Sequence, residues 1–383
     1  MVHRSPGRPE RQARERRPKL TELDDAQRWA ARLTGPPPAT HAGPAGVDLA
    51  ALTRYFEEHV PNFGGPLRAE LMHGGRSNLT FQITDGTHRW IVRRRPLGLV
   101  APTANDVGRE YRVMAALGST AIPVPEAISF CDDPGVIGAP FSVTSMVEGR
   151  VIRSASDGAR LDRSDAAQIA EALVDQLAAI HSVDYHAIGL TDLGRPDGFL
   201  VRQVGRWWRQ WELVATRQLP GIDMLRQRLA TDVPDQTDAT IVHGDFRLDN
   251  TILAPDDPGV IAAVIDWEMA TLGDPLADLG LLLVYWDPVC SPVLPEGNPV
   301  SANPGFPSIP ALVSSYGAAS GRSLGRLDFY RGLGYFKLAV IAEGIHSRFQ
   351  AGRTVGTGFE TVGSAVVPLV EAGLAVLSGD DHR

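Results

Sequence analysis

The chain has 383 residues, of which 43% are hydrophobic and 21% charged, a mix that excludes disorder or a collagen-like repeat over most of its length and, at this size, points to two domains or one domain of two lobes. A net charge of −8 argues against a general nucleic-acid binder, which needs Lys and Arg concentrated on one face. No apolar run approaches the ~20 residues that cross a bilayer, and none near the start suits a secretory segment, so a cytoplasmic location with no membrane partner is expected.

Residues 1–45 read as a disordered basic tail and linker. The segment from Arg4 to Lys19 is Arg-rich and almost free of apolar side chains, and "TGPPPATHAGPAG" has no periodicity. The fold is expected to begin with "VDLAALTRYFEEHV", where Leu49, Leu52, Tyr55 and Phe56 share a helix face and Asp48 suits the start. "LRAELMH" and "NLTFQIT" predict two strands flanking a turn at Gly74-Gly75-Arg76-Ser77, with Leu79, Phe81 and Ile83 alternating against polar neighbours. "RWIVRRR" predicts a third strand. "NDVGREYRVMAAL" predicts a helix with Val107, Tyr111, Met114 and Leu117 in one stripe. "EAISF" and "PFSVTSMVEG" complete a β-rich unit that ends near Gly149.

Beyond it the pattern turns helical. Ser164 is the expected N-cap of a helix carrying Ile169, Leu173, Leu177 and Ile180, and helical character returns at "GRWWRQWELV" and "YFKLAVIAEGIHSRF". The Pro-rich stretch 286–310 predicts an ordered-to-mobile loop, long enough to suspect a function. Cys131 and Cys290 stand far apart without metal-type spacing and read as packing residues.

The stretch "IVHGDFRLDNTILA", Ile241 to Ala254, sets His, Asp, Arg and Asn between two apolar runs. A turn at "PDDPG" and a returning strand "VIAAVID" bring Asp266 back beside it, so Asp245, Asn250 and Asp266 are expected to converge. Two carboxylates and an amide oxygen are hard ligands of the kind Mg²⁺ shares with substrate phosphates.

With Asp245 and Asn250 spaced D-x-x-x-x-N behind His243, and Asp266 one hairpin later, the pattern resembles the catalytic centre of the protein-kinase-like fold. "HGD" stands in place of H-R-D and "DWE" in place of D-F-G, and no A-P-E element follows. "HGDFRLDN" with "IDWEMATLGDPLADLG" is similar instead to the aminoglycoside phosphotransferase and choline kinase group, and more closely to the phosphotransferase domains fused in some proteins to acyl-CoA dehydrogenases. The resemblance spans roughly residues 46–375. It implies an α+β, bilobal fold with a small β-rich N-lobe over 46–148 and a larger helical C-lobe over 149–383.

The resemblance also implies roles. Asp245 would orient an acceptor hydroxyl and take its proton, Arg247 would steady the transferring phosphoryl group, and Asn250 and Asp266 would hold Mg²⁺. Alternation puts Ile91 and Arg93 on one strand face, where Ile91 would roof an adenine and Arg93, paired with Glu110, would reach the phosphates. The family more broadly has Lys at that position, and Arg94 or Arg95 is an alternative contact. Gly75, Ser77 and Asn78 at the hairpin tip would lie over the phosphates without the G-x-G-x-x-G spacing, and the carbonyl of Ser145 with the amide of Val147 would meet the adenine.

The implied activity is an ATP- and Mg²⁺-dependent phosphotransfer to a small-molecule hydroxyl, with GTP left open as donor. Trp, Pro and aliphatic residues around 200–215 and 286–310 suit a hydroxyacyl-CoA or hydroxy acid; the alternatives are an aminoglycoside-type antibiotic kinase, a nucleotide-binding regulatory pseudokinase, and a metal-dependent hydrolase using His243, Asp245 and Asp266. His243 is expected to brace the loop, Asp249 to point away, Asp274 to cap a helix with Pro275 behind it, Asp278 to hydrogen-bond the catalytic loop, and His181 to pack at a helix end. Glu268 reads equally as a ligand or a solvated carboxylate, and Trp207, Trp208 and Trp211 as core before acceptor channel.

Overall fold

The computed structural model describes residues 44–72, 78–95, 106–235, 238–294, 296–354 and 358–379. The basic tail therefore lies outside the described residues, as do Gly75 and Ser77. Helix α1 (Leu49–His59) starts where Asp48 accepts hydrogen bonds from the N–H groups of Ala50 and Ala51, each at 3.0 Å, satisfying donors the helix cannot. Strands β1 (Arg68–Leu71), β2 (Leu79–Thr84) and β3 (Arg89–Arg94), helix α2 (Val107–Leu117), β4 (Ala127–Cys131), the helical turn α3 (Pro134–Ile137) and β5 (Phe141–Ser145) follow. The strands form one antiparallel sheet in the order β1-β2-β3-β5-β4.

The register aligns Phe81 with Val92 and Val92 with Val143, and this apolar row packs on Leu52 and Phe56 of α1. Each such fully buried side chain contributes roughly 1.5–3 kcal/mol. Trp90, Val92 and Arg94 face this core, leaving Ile91 and Arg93 half-buried on the opposite face. Arg94 is buried against the carbonyls of Gly46, at 2.7 Å, and Ile137. It is thereby removed as a phosphate contact.

Helix α2 departs from the expected stripe. Its buried face is Val107, Glu110, Val113, Met114 and Leu117, while Tyr111 is half-buried and stacks on Phe130 with ring centres 5.7 Å apart. The cause is a second neighbour: Val113, Met114 and Leu117 join the larger core with Ile169 and Leu173, and Arg109 donates to the carbonyls of Leu193 at 2.8 Å and Ala270 at 2.7 Å. Although it lies within the β-rich segment, α2 packs with the helical lobe.

At the junction, a Cβ on Gly149 would lie 2.3 Å from the carbonyl oxygen of Leu253, so only Gly fits. Arg150 then exchanges both backbone hydrogen bonds with Leu253, at 2.9 and 2.8 Å. The helical lobe contains α4 (Ala155–Arg160), α5 (Arg163–His181), α6 (Phe199–Val214), α7 (Pro220–Thr231), β6 (Thr240–Val242), β7 (Thr251–Leu253), β8 (Ile261–Val264), β9 (Thr271–Gly273), α8 (Leu276–Trp286), α9 (Ile309–Ser320), α10 (Leu327–Gln350) and α11 (Val366–Ser378). Among the described residues no helix is long and apolar enough to cross a membrane.

Two local expectations are corrected. Helix α5 is capped by Asp162, which accepts from the Asp165 N–H at 2.7 Å, whereas Ser164 sits inside the first turn and accepts from the Gln168 side chain at 3.0 Å. Its buried face includes Ile169, Leu173, Leu177 and Ile180 as expected.

The Pro-rich stretch 286–310 is not a free loop. Asn298 donates to the carbonyl of Tyr285 at 3.1 Å, Asn303 donates to those of Gly158 and Leu161 at 3.1 and 2.7 Å, and Trp286 donates to that of Pro307 at 2.9 Å. Both asparagines are buried. Proline interrupts the regular ladders, and side-chain amides replace them. Trp207 and Trp211 lie in the core, and Trp208 carries the Arg226 guanidinium 4.8 Å above its ring. Cys131 and Cys290 are free and buried.

Candidate active site

Two short antiparallel ribbons, β6 with β9 and β7 with β8, hold the polar segments at one end. Thr251 pairs with Val264, and the Ile265 N–H donates to the Asn250 carbonyl at 3.0 Å, so Asn250 and Asp266 leave neighbouring strands side by side. Asp266 itself adopts φ 69°, a left-handed conformation that Asp tolerates better than most residues.

Gly244 has φ +83°, and a Cβ there would lie 2.8 Å from the Met269 carbonyl oxygen. Gly244→Ala is expected to cost about 1–2 kcal/mol from the backbone alone and to displace the loop before Asp245. A urea midpoint and turnover both equal to the parent's would contradict this.

His243 braces the loop. Its N–H and that of Gly244 donate to the two oxygens of Asp278, at 2.6 and 2.8 Å. Its Nε2 donates to the Ile265 carbonyl at 3.0 Å, and its Nδ1 accepts from the Asp245 N–H at 3.2 Å, which makes the ring the neutral Nε2–H tautomer. Trp267 packs 4.6 Å from the ring and donates to the Val264 carbonyl at 2.9 Å, explaining an indole in the "DWE" segment. Burial works to raise the Asp278 carboxyl, but His181, 3.5 Å away, and the Gly244 N–H outweigh it and hold it below the usual range. His181 also meets the Tyr316 hydroxyl at 2.7 Å. Asp274, expected as the cap of α8, lies one residue before the observed cap Pro275 and still accepts from the Leu276 N–H at 3.0 Å.

Asp245 is held from three sides. The Tyr285 hydroxyl donates to Oδ1 at 2.6 Å, Asn250 Nδ2 donates to Oδ2 at 3.2 Å and to the Asp245 carbonyl at 2.8 Å, and Arg247 Nε lies 3.4 Å from Oδ2. Arg247 also pairs with Asp249 at 3.0 Å, and its guanidinium carbon lies 5.1 Å from the centre of the Tyr285 ring. Asp249 thus turns to Arg247 rather than away.

Arg93 bridges the lobes, pairing with Glu110 at 2.5 Å and Asp266 at 3.0 Å. Asn78, buried, donates to Glu268 at 2.8 Å, a second link between the β-rich unit and the "DWE" segment. Ile91 and Arg93 share the half-buried face of β3, and Ser145 and Val147 lie half-buried where β5 runs into the junction.

Burial pushes the Glu110 carboxyl up to about 7, against the pull of Arg93. A folded value above the unfolded one means that the native state binds more protons between about 4.5 and 7, so stability falls as pH rises through that window. Glu110→Gln is expected to flatten this slope, as read from urea midpoints at pH 5 and pH 8. An unchanged slope would show that Glu110 does not titrate there.

Asn250 and Asp266 suit a hard divalent cation. The Asn250 amide nitrogen is committed to Asp245, and its oxygen accepts no hydrogen bond among the described residues. A hydrolytic zinc centre fits less well, because it takes three protein ligands. No group of three or more His, Cys, Asp or Glu side chains able to hold a metal occurs among the described residues, and His243 spends both ring nitrogens on the backbone.

Two residues escaped the sequence reading. Tyr285 lies two turns after Asp278 on α8, the same face, and this i, i+7 polar pair in an apolar helix was the available signal. Lys337, a lone cation in the apolar run "YFKLAVIAE", is buried and donates to the Gly244 carbonyl.

Residues 68–298 match the phosphotransferase enzyme family. The chain is 36% identical over 335 residues to acyl-CoA dehydrogenase family member 11 of Rattus norvegicus, covering 85% of this chain and 43% of that protein; it therefore spans less than half the length of this relative. A provisionally assigned aminoglycoside phosphotransferase from Ralstonia eutropha JMP134 is 32% identical, with a TM-score of 0.74 over 87% of this chain and 98% of that one. A thermostable aminoglycoside phosphotransferase variant in ternary complex with ADP and hygromycin B shares the fold, with a TM-score of 0.55 at 15% identity over 85% of this chain and 98% of that one.

Proposed function

Because the chain belongs to the phosphotransferase enzyme family, we propose that it is a kinase that moves the γ-phosphoryl group of ATP to the hydroxyl of a small molecule. The observation that carries this reading is the bridge from Arg93 to both Glu110 and Asp266, meeting the Asp245–Asn250 pair at the ends of adjacent strands.

Asp245 orients the acceptor hydroxyl and takes its proton as the acceptor oxygen bonds to phosphorus and the bond to the departing ADP oxygen breaks. Tyr285 and Asn250 fix the carboxylate in place. Arg93 and Arg247 bring positive charge to the phosphoryl oxygens, Ile91 covers the adenine, and the Ser145 carbonyl and Val147 amide meet its edge. Asn78, tethered through Glu268, meets the phosphates, a role for which Gly75 and Ser77, outside the described residues, are candidates from the sequence. Asn250 and Asp266 would hold Mg²⁺, which supplies neutralisation of phosphate charge. Positioning and charge do most of the work in such a transfer, so no covalent enzyme intermediate is needed.

For the acceptor we propose a hydroxyacyl-CoA or related hydroxy acid, supported by the likeness to acyl-CoA dehydrogenase family members and by the apolar side chains of α6. ADP release measured with ATP and Mg²⁺ against a panel of hydroxyacyl-CoAs, hydroxy acids and aminoglycosides tests the proposal. Turnover is expected for the acyl acceptors. Turnover of kanamycin-like acceptors alone would defeat the acyl assignment, and nucleotide binding without transfer to any acceptor would favour a regulatory protein.

A further inference from the structure

A small cleft, open to solvent, lies between α6, α10 and the segment from Met269 to Thr271, and Gly244, the neighbour of Asp245, forms part of its wall. Phe199, Trp207 and Leu333 supply apolar surface. Its charged lining is Arg206, Lys337 and Asp278. Asp278 is already committed, with both oxygens accepting backbone N–H groups. Arg206 is not. The Arg206 guanidinium carbon lies 5.5 Å and the Lys337 ammonium 5.4 Å from the centre of the same Trp207 ring. Arg206 forms no ion pair with a carboxylate among the described residues, and Lys337 spends one donor on the Gly244 carbonyl and meets no carboxylate in a salt bridge.

Two cations gathered on one indole beside the catalytic loop, with Asp245 and Asp278 within electrostatic reach of Lys337 but no carboxylate paired with Arg206, favour an oxyanion over a polycation. We propose that Arg206 and Lys337 form an anion-binding subsite that reads a carboxylate or phosphate group of the acceptor, while the apolar wall takes its carbon chain. The inference rests on the kinase reading for its link to the acceptor.

The test is isothermal titration calorimetry on the whole chain, with and without AMP-PNP and Mg²⁺, using 3-hydroxyhexanoate, 3-hydroxyhexanamide, 1-aminohexan-3-ol and coenzyme A as probes. The hexanoate or coenzyme A is expected to bind at least tenfold more tightly than the amide and the amine. Hexanoate alone would assign the subsite to a carboxylate, and coenzyme A alone to a phosphate. Arg206→Gln should weaken the favoured anion about tenfold, and Arg206→Glu should shift preference toward the amine, with AMP-PNP affinity unchanged in both. Lys337→Met should weaken the anion as well, although its tie to Gly244 makes Arg206 the cleaner variant. Equal binding of anion and amine, no anion binding at all, or anion affinity indifferent to Arg206→Gln overturns the subsite. Failure of AMP-PNP to bind would overturn the kinase reading instead, and the titrations without nucleotide still decide the subsite.

Discussion

Asp245→Asn is expected to lower phosphoryl transfer by about 10²–10⁴-fold, the range of a lost general base, while leaving fold and nucleotide affinity intact. The geometry makes this substitution mild outside the chemistry. The amide oxygen can still accept from Asn250 Nδ2 and Arg247, and the amide nitrogen can donate to the Tyr285 hydroxyl, which accepts as well as it donates. What is lost is a site for the proton. Initial-rate measurements of ADP formation, paired with calorimetric titration of AMP-PNP, check both halves, and retained turnover would remove Asp245 from the proposed chemistry.

Asp278→Ala should be the most damaging single truncation for stability around the loop. It strands the backbone N–H groups of His243 and Gly244 and the Nε2 of His181; both histidines are buried and Gly244 is half-buried. At about 1–3 kcal/mol for each buried group left unsatisfied, with water entering to relieve part of it, a net loss of about 3 kcal/mol is expected in urea unfolding. Asp278→Asn keeps one acceptor oxygen and should fall between. A midpoint for the Ala variant equal to the parent's would mean that the loop holds itself without this anchor.

The two experiments separate chemistry from support. Asp245 touches the reacting hydroxyl in the proposed mechanism, whereas Asp278 touches only the chain that carries Asp245. A fall in turnover for Asp278→Ala should therefore come with a fall in stability, and one for Asp245→Asn should not.

The amino-acid sequence by itself determined the secondary elements with strong periodicity and the order of the polar groups along the two ribbons. Alternation in β2 and β3 assigned Ile91 and Arg93 to one face, and the turn between β7 and β8 made the approach of Asn250 to Asp266 legible, because pleat and hairpin geometry are local. Local rules did not decide which helix face α2 buries, whether 286–310 moves, which arginine of "RRR" turns inward, or that Tyr285 and Lys337 reach the catalytic loop from α8 and α10. Those outcomes depend on partners far away in the chain: a second core beside α2, carbonyls that accept from Asn298 and Asn303, and a loop whose exposed backbone groups are satisfied only when helices from later in the sequence close on it.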